Sequence, residues 1–88
     1  MPYIAGNRRA RLEPEMGMLI QKLKESPIEE VDGQLNYVIS RLLVSLYTPK
    51  YFNYNRAMGV LNCASQEFYR RFVAPYEDGK MRDAGDIV

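Results

Sequence analysis

Between Val31 and Tyr47 the chain places Leu35, Val38, Ile39, Leu42, Leu43 and Leu46 at i, i+3, i+4, i+7, i+8 and i+11. Successive side chains of an α-helix advance by about 100°, so this spacing paints one continuous apolar face. No other feature constrains the fold as tightly. A helix of so few turns is marginal in water by itself and is held by packing of its apolar face, so the rest of the chain must supply a surface for it. Asp32 is placed to cap its start, and Pro49 lies just past Tyr47, where a helix has to stop. The spacing therefore predicts a helix over residues 32–47.

The surface it needs follows directly. Ala57, Leu61, Ala64, Phe68 and Phe72 fall within roughly 80° of one another on a helical wheel, which predicts a second helix over 54–73 with Asn53 as its cap. The short connection makes the two helices antiparallel neighbours. Gly59 inside the second helix costs about 1 kcal/mol relative to alanine, which suggests a close crossing at that point. Pro75 ends or kinks the helix, and residues 76–83 suit a short helical turn finished by Gly85. Upstream, Met16, Leu19, Ile20 and Leu23 predict a short N-terminal helix over 15–24, with Pro14 in its first turn and Ser26-Pro27 as the break. Residues 1–11 read as an arm. The expected fold is all-α: a small helical bundle in one domain (1–88), built on an antiparallel hairpin. Its expected core is Leu35, Ile39, Leu42, Leu46, Leu61, Phe68 and Phe72.

The second helix carries more apolar surface than one neighbour can cover. Met58, Tyr69, Val73 and Tyr76 widen its apolar arc to roughly 200° on a straight wheel, about twice the usual stripe. These four residues are the candidate self-association surface, which points to a homodimer. The competing expectation is that the 1–11 arm covers the same flank within one chain.

Composition removes most chemistry. The 88 residues include no histidine and one cysteine, Cys63, so the usual zinc sites, Ser-His and Cys-His schemes and internal disulfides are all out of reach. No acid–base pair or phosphate loop can be assembled either, and the expectation is a non-enzymatic protein without a cofactor. No apolar run approaches the ~18 residues of a membrane span, and residues 1–11 lack the apolar stretch of a signal peptide. No membrane partner is therefore expected, and the single cysteine makes a reducing compartment the expectation. The net charge is only +1 but is unevenly spread: +3 over residues 1–11, −4 over 13–32, +4 over 33–75 and −2 over 76–88. Such blocks favour segments or copies docking on each other.

Arg8, Arg9, Arg11, Arg70 and Arg71 are the candidate nucleic-acid contacts, with nearby tyrosines able to stack on bases. A near-neutral domain argues against that footprint, and a solvated face with a Glu67–Arg71 pair is the preferred reading. Lys50, Tyr51, Phe52 and Tyr54 are read as a connection whose rings plug the core rather than as a binding loop. The carboxylates of Glu77, Asp78, Asp83 and Asp86 lack the spacing of a calcium loop.

Three runs carry a family likeness: Met1-Pro2-Tyr3-Ile4, then Leu35-Asn36-Tyr37-Val38-Ile39, and above all Glu67-Phe68-Tyr69-Arg70-Arg71-Phe72-Val73-Ala74-Pro75-Tyr76-Glu77-Asp78 with Lys80 and Gly85-Asp86 beyond it. The chain resembles a family of short proteins of unknown function from tailed bacteriophages and bacteria, where they are often prophage-encoded. Residues 12–30 depart from the family's pattern. The resemblance implies a cytoplasmic protein of phage or prophage origin and supplies no activity. The leading expectation is thus a phage-like accessory protein acting through a helical surface and self-associating. The alternative is a small nucleic-acid-binding or regulatory protein using the five arginines.

Overall fold

The computed structural model describes residues 3–88. It is all-α, as expected, with four α-helices and no strand among the described residues: α1 Gly6–Lys24, α2 Ile28–Leu46, α3 Tyr51–Phe68 and α4 Ala74–Ala84. A single π-helical turn, Tyr69–Val73, joins α3 to α4 without a break.

Each helix starts earlier than the spacing predicted, and each for a local reason. The expected arm is helical from Gly6, because Arg8, Arg9, Ala10, Arg11 and Leu12 are all strong helix formers. The Ala5 carbonyl accepts from the Arg8 and Arg9 amides at 2.9 and 3.0 Å. Pro14 therefore sits inside α1 and not in its first turn. Of the expected arm only Tyr3–Ala5 remain non-helical, and residues 1 and 2 lie outside the described residues. α2 begins at Ile28, with Pro27 in the capping position and Glu29 and Glu30 in the first turn. Proline pre-sets the entry angle, and carboxylates there complement the positive end of the helix dipole. Asp32 consequently lies within the helix rather than at its cap. α3 begins at Tyr51, so Asn53 is no cap either. Its amide donates instead to the Thr48 carbonyl at 3.2 Å and hydroxyl at 2.7 Å, stitching the connection.

Pro75 does not end the second long helix, which continues through a π-helical turn. Proline has no N–H for the carbonyl four residues back, here that of Arg71. The Ala74 amide reaches past the usual partner to the Tyr69 carbonyl, and one wide turn absorbs the defect. The helix then runs on to Gly85, whose φ of +88° and amide bond to the Met81 carbonyl (2.9 Å) close it, as the sequence suggested. With φ 88° and ψ 153° this is backbone open essentially to glycine alone. Gly85→Ala is expected to fray the last turn of α4, at a local cost of about 1–3 kcal/mol, read as faster hydrogen exchange at its amide.

The helices do not close on one another. α1 lies along α2, and Gln34 in α2 ties the turn between them by donating to the Ser26 hydroxyl at 2.9 Å. α2 and α3 meet at their elbow, where Leu43, Tyr47, Tyr54 and Ala57 surround an apolar cavity of about 330 Å³. Beyond the elbow they part. Ala57, at 7% exposure, is the one buried residue among those described. The expected core is consequently not assembled within this chain: Leu42, Leu46, Phe68 and Phe72 are 51, 71, 61 and 60% exposed. Gly59 meets open space, not the expected helix crossing. Tyr51, Phe52 and Tyr54, expected as plugs, are all exposed, the first two in an edge-to-face pair (6.1 Å between centroids), while Tyr47 and Asn53 beside them are half-buried. The radius of gyration is 16.6 Å, against about 12 Å for a compact chain of this length.

Candidate functional site

The exposed apolar residues are ordered, and the wheel shows how. Taking Leu35 as origin, Leu35, Leu42 and Leu46 fall within an arc of about 40°. On one side of that line Val31, Gln34 and Val38 are half-buried against Leu19 and Leu23 of α1. On the other side Leu43 and Tyr47 are half-buried toward α3 at the elbow. The three leucines between them are all exposed. They form an exposed apolar seam along α2, with Ile39 half-buried beside it.

α3 shows the complementary gradient. Asn53, Ala57, Leu61, Ala64 and Phe68 share one face. That face is covered at Ala57, half-covered at Leu61, and bare at Ala64 and Phe68. Coverage thus ends within two turns of the elbow, while the apolar pattern continues to Phe72. The Phe68 and Phe72 rings stand 5.5 Å apart with the Arg71 guanidinium 5.6 Å from the Phe72 ring.

The candidate self-association residues occupy different surroundings. Met58 borders the elbow cavity, Val73 is half-buried, and Tyr69 and Tyr76 are exposed. The Tyr69 hydroxyl donates to Glu77 at 3.0 Å, spanning the π-turn, and that bond raises the phenol's pKa above its ordinary value. The Lys80 ammonium lies 5.5 Å from the Tyr76 ring. The π-turn also alters how the four are grouped. One extra residue per turn slips the phase by about 100°, which carries Val73 and Tyr76 toward the Phe68 stripe and leaves Met58 and Tyr69 on the flank.

The candidate nucleic-acid arginines are partly brought together. Arg70 pairs with Glu67 at i, i+3 and not, as expected, Arg71 at i, i+4. Its Nη2 lies 2.7 Å from both carboxylate oxygens. Tyr3, from the N-terminal segment, donates its hydroxyl to Glu67 (2.9 Å) and accepts from Arg71 (3.0 Å). Arg9 binds the neighbouring Ile4 carbonyl at 2.7 Å, so Arg9, Arg70 and Arg71 are all linked to the Tyr3-Ile4 dipeptide. Arg8 and Arg11 lie on α1, outside these bonds. The arm does therefore reach the second long helix, but at Glu67 and the arginines. Spacing alone could not have shown this contact, because Tyr3 and Glu67 are 64 residues apart.

The Arg70 guanidinium, with help from Tyr3, holds the Glu67 carboxyl below the usual carboxylate range. A carboxylate with a lowered folded-state pKa contributes fully above its ordinary value and loses that contribution as pH falls through the lowered one. Acidification into that window is expected to release Tyr3, seen as loss of a distinct Tyr3 ring shift by NMR. Glu67→Gln should release it at neutral pH.

Fold and surface together define a small all-α protein with an open apolar seam. Among the described residues no helix is long and apolar enough to cross a membrane, and no group of three or more potential metal ligands is present. The family model for a domain of unknown function (DUF6899) matches residues 1–87, and the chain belongs to that family. No curated protein and no solved structure matches it.

Proposed function

We propose that the chain is a non-enzymatic interaction module whose fold is completed by a partner surface. We place it, on its resemblance to phage and prophage proteins, among phage-type accessory proteins of the bacterial cytoplasm. The observation that carries the reading is the surface area. The chain exposes 8092 Å², whereas a compact folded monomer of its mass exposes about 5,300 Å². The excess, about 2,800 Å² of polar and apolar surface together, means that the helices cover one another far less than those of a compact monomer. Among the residues left exposed, Leu35, Leu42, Leu46, Phe68 and Phe72 carry the regular spacing of a core. Such spacing is found where helices pack, and its exposure marks a place for another helix.

The test is the behaviour of the isolated chain at high dilution. Diluted until its mass in solution is that of one chain, it should bind an apolar dye and unfold over a broad denaturant range. A sharp two-state transition with no dye binding under these conditions would show that the single chain is self-sufficient and overturn the proposal.

A further inference from the structure

Resting on that reading, we infer that the partner is a second copy of this chain, each copy's Phe68–Phe72 end of α3 filling the Leu35–Leu42–Leu46 seam of the other's α2. Both halves of the missing core are carried by one sequence. α2 supplies a line of exposed leucines, and α3 supplies an aromatic pair on a stripe whose cover ends two turns earlier. The same two faces are the ones that the helical spacing pairs with each other. A two-fold axis satisfies both at once, since seam meets stripe and stripe meets seam. A foreign partner would have to provide both surfaces.

The area argues the same way. A complex of standard size covers about 800 Å² per partner, which would leave most of the 2,800 Å² excess bare. Mutual cover by two copies buries up to roughly 5,500 Å² in total, within the range of obligate homodimers. The net charge of +1 per chain gives only weak repulsion between copies, and the one charge recorded beside the aromatic pair is the Arg71 guanidinium, 5.6 Å from the Phe72 ring.

Light scattering on the intact chain between about 5 and 200 μM, the range that detects micromolar dimers, should give twice the 10.2 kDa of one chain. Isotope-filtered NMR on an equal mixture of labelled and unlabelled chains should show cross-peaks from Leu42 and Leu46 methyls to Phe68 and Phe72 rings of the other copy. Leu42→Asp should halve the mass, while Tyr69→Glu should leave it doubled. A dimer whose intermolecular cross-peaks run through Met58 and Tyr69 would overturn the seam. A monomer that binds dye and unfolds broadly would overturn the second copy and leave the interaction module standing with a different protein as partner. A monomer that unfolds sharply without dye binding would overturn both.

Discussion

Phe68→Ala is expected to lower stability by about 3–5 kcal/mol in urea titrations at ~50 μM, the loss typical of deleting a packed phenylalanine. Judged on one chain this would be surprising, because the ring is 61% exposed. Substitutions at exposed positions usually change stability by no more than about 0.5 kcal/mol. The two magnitudes differ by nearly an order, so a single titration separates a ring that ends in solvent from one that ends in a core. Phe72 supports the choice of residue, since the two rings stand 5.5 Å apart and lose each other's contact when either is removed. The midpoint should also rise with protein concentration in the parent chain and do so less in the variant, because association is linked to folding by mass action.

The second large effect is expected at the elbow. Ala57→Asp places a carboxylate at the one buried position among the described residues, facing the apolar cavity bordered by Leu43, Tyr47, Tyr54 and Met58. An unpaired buried charge costs about 3–5 kcal/mol. Unlike the Phe68 change, this cost should depend on pH in a known direction. Burial raises the folded-state pKa of the new carboxyl above its unfolded value. The penalty is then full at neutral pH and shrinks as pH falls toward the ordinary aspartate range, where both states are protonated. Urea midpoints for the variant should therefore approach those of the parent in mild acid. A midpoint unchanged at neutral pH would mean that the elbow opens freely, and that α2 and α3 have no fixed relation.

The helices themselves were legible in the sequence, because periodicity is a local property. Leu35 through Leu46 and Ala57 through Phe72 each announce one face, and Gly85 announces a helix end. The starts were less legible. Asp32 and Asn53 have the chemistry of caps, but Pro27 with Glu29-Glu30, and the Thr48 bonds of Asn53, settle the ends earlier in the chain. What covers each face was not legible at all. A wheel tells that Leu42 needs an apolar neighbour and not which part of which chain provides it. Pro75 produced a different kind of error. A straight wheel carried through Tyr69–Val73 groups Tyr76 with Tyr69, whereas the π-turn slips the phase and divides them. The Tyr3 contact was invisible because a hydroxyl 64 residues away has no spacing signature.

That Ala57 alone is buried among the described residues has a consequence for supply. A copy held together by so little offers proteases long stretches of loosely protected backbone, and clearance of such copies follows the population of the open form. On the pairing inferred above, scarce copies would stay single and open to cleavage, whereas pairing, which grows with the square of their number, would withdraw them from it. The amount of protein would then rise out of proportion to the rate of its synthesis.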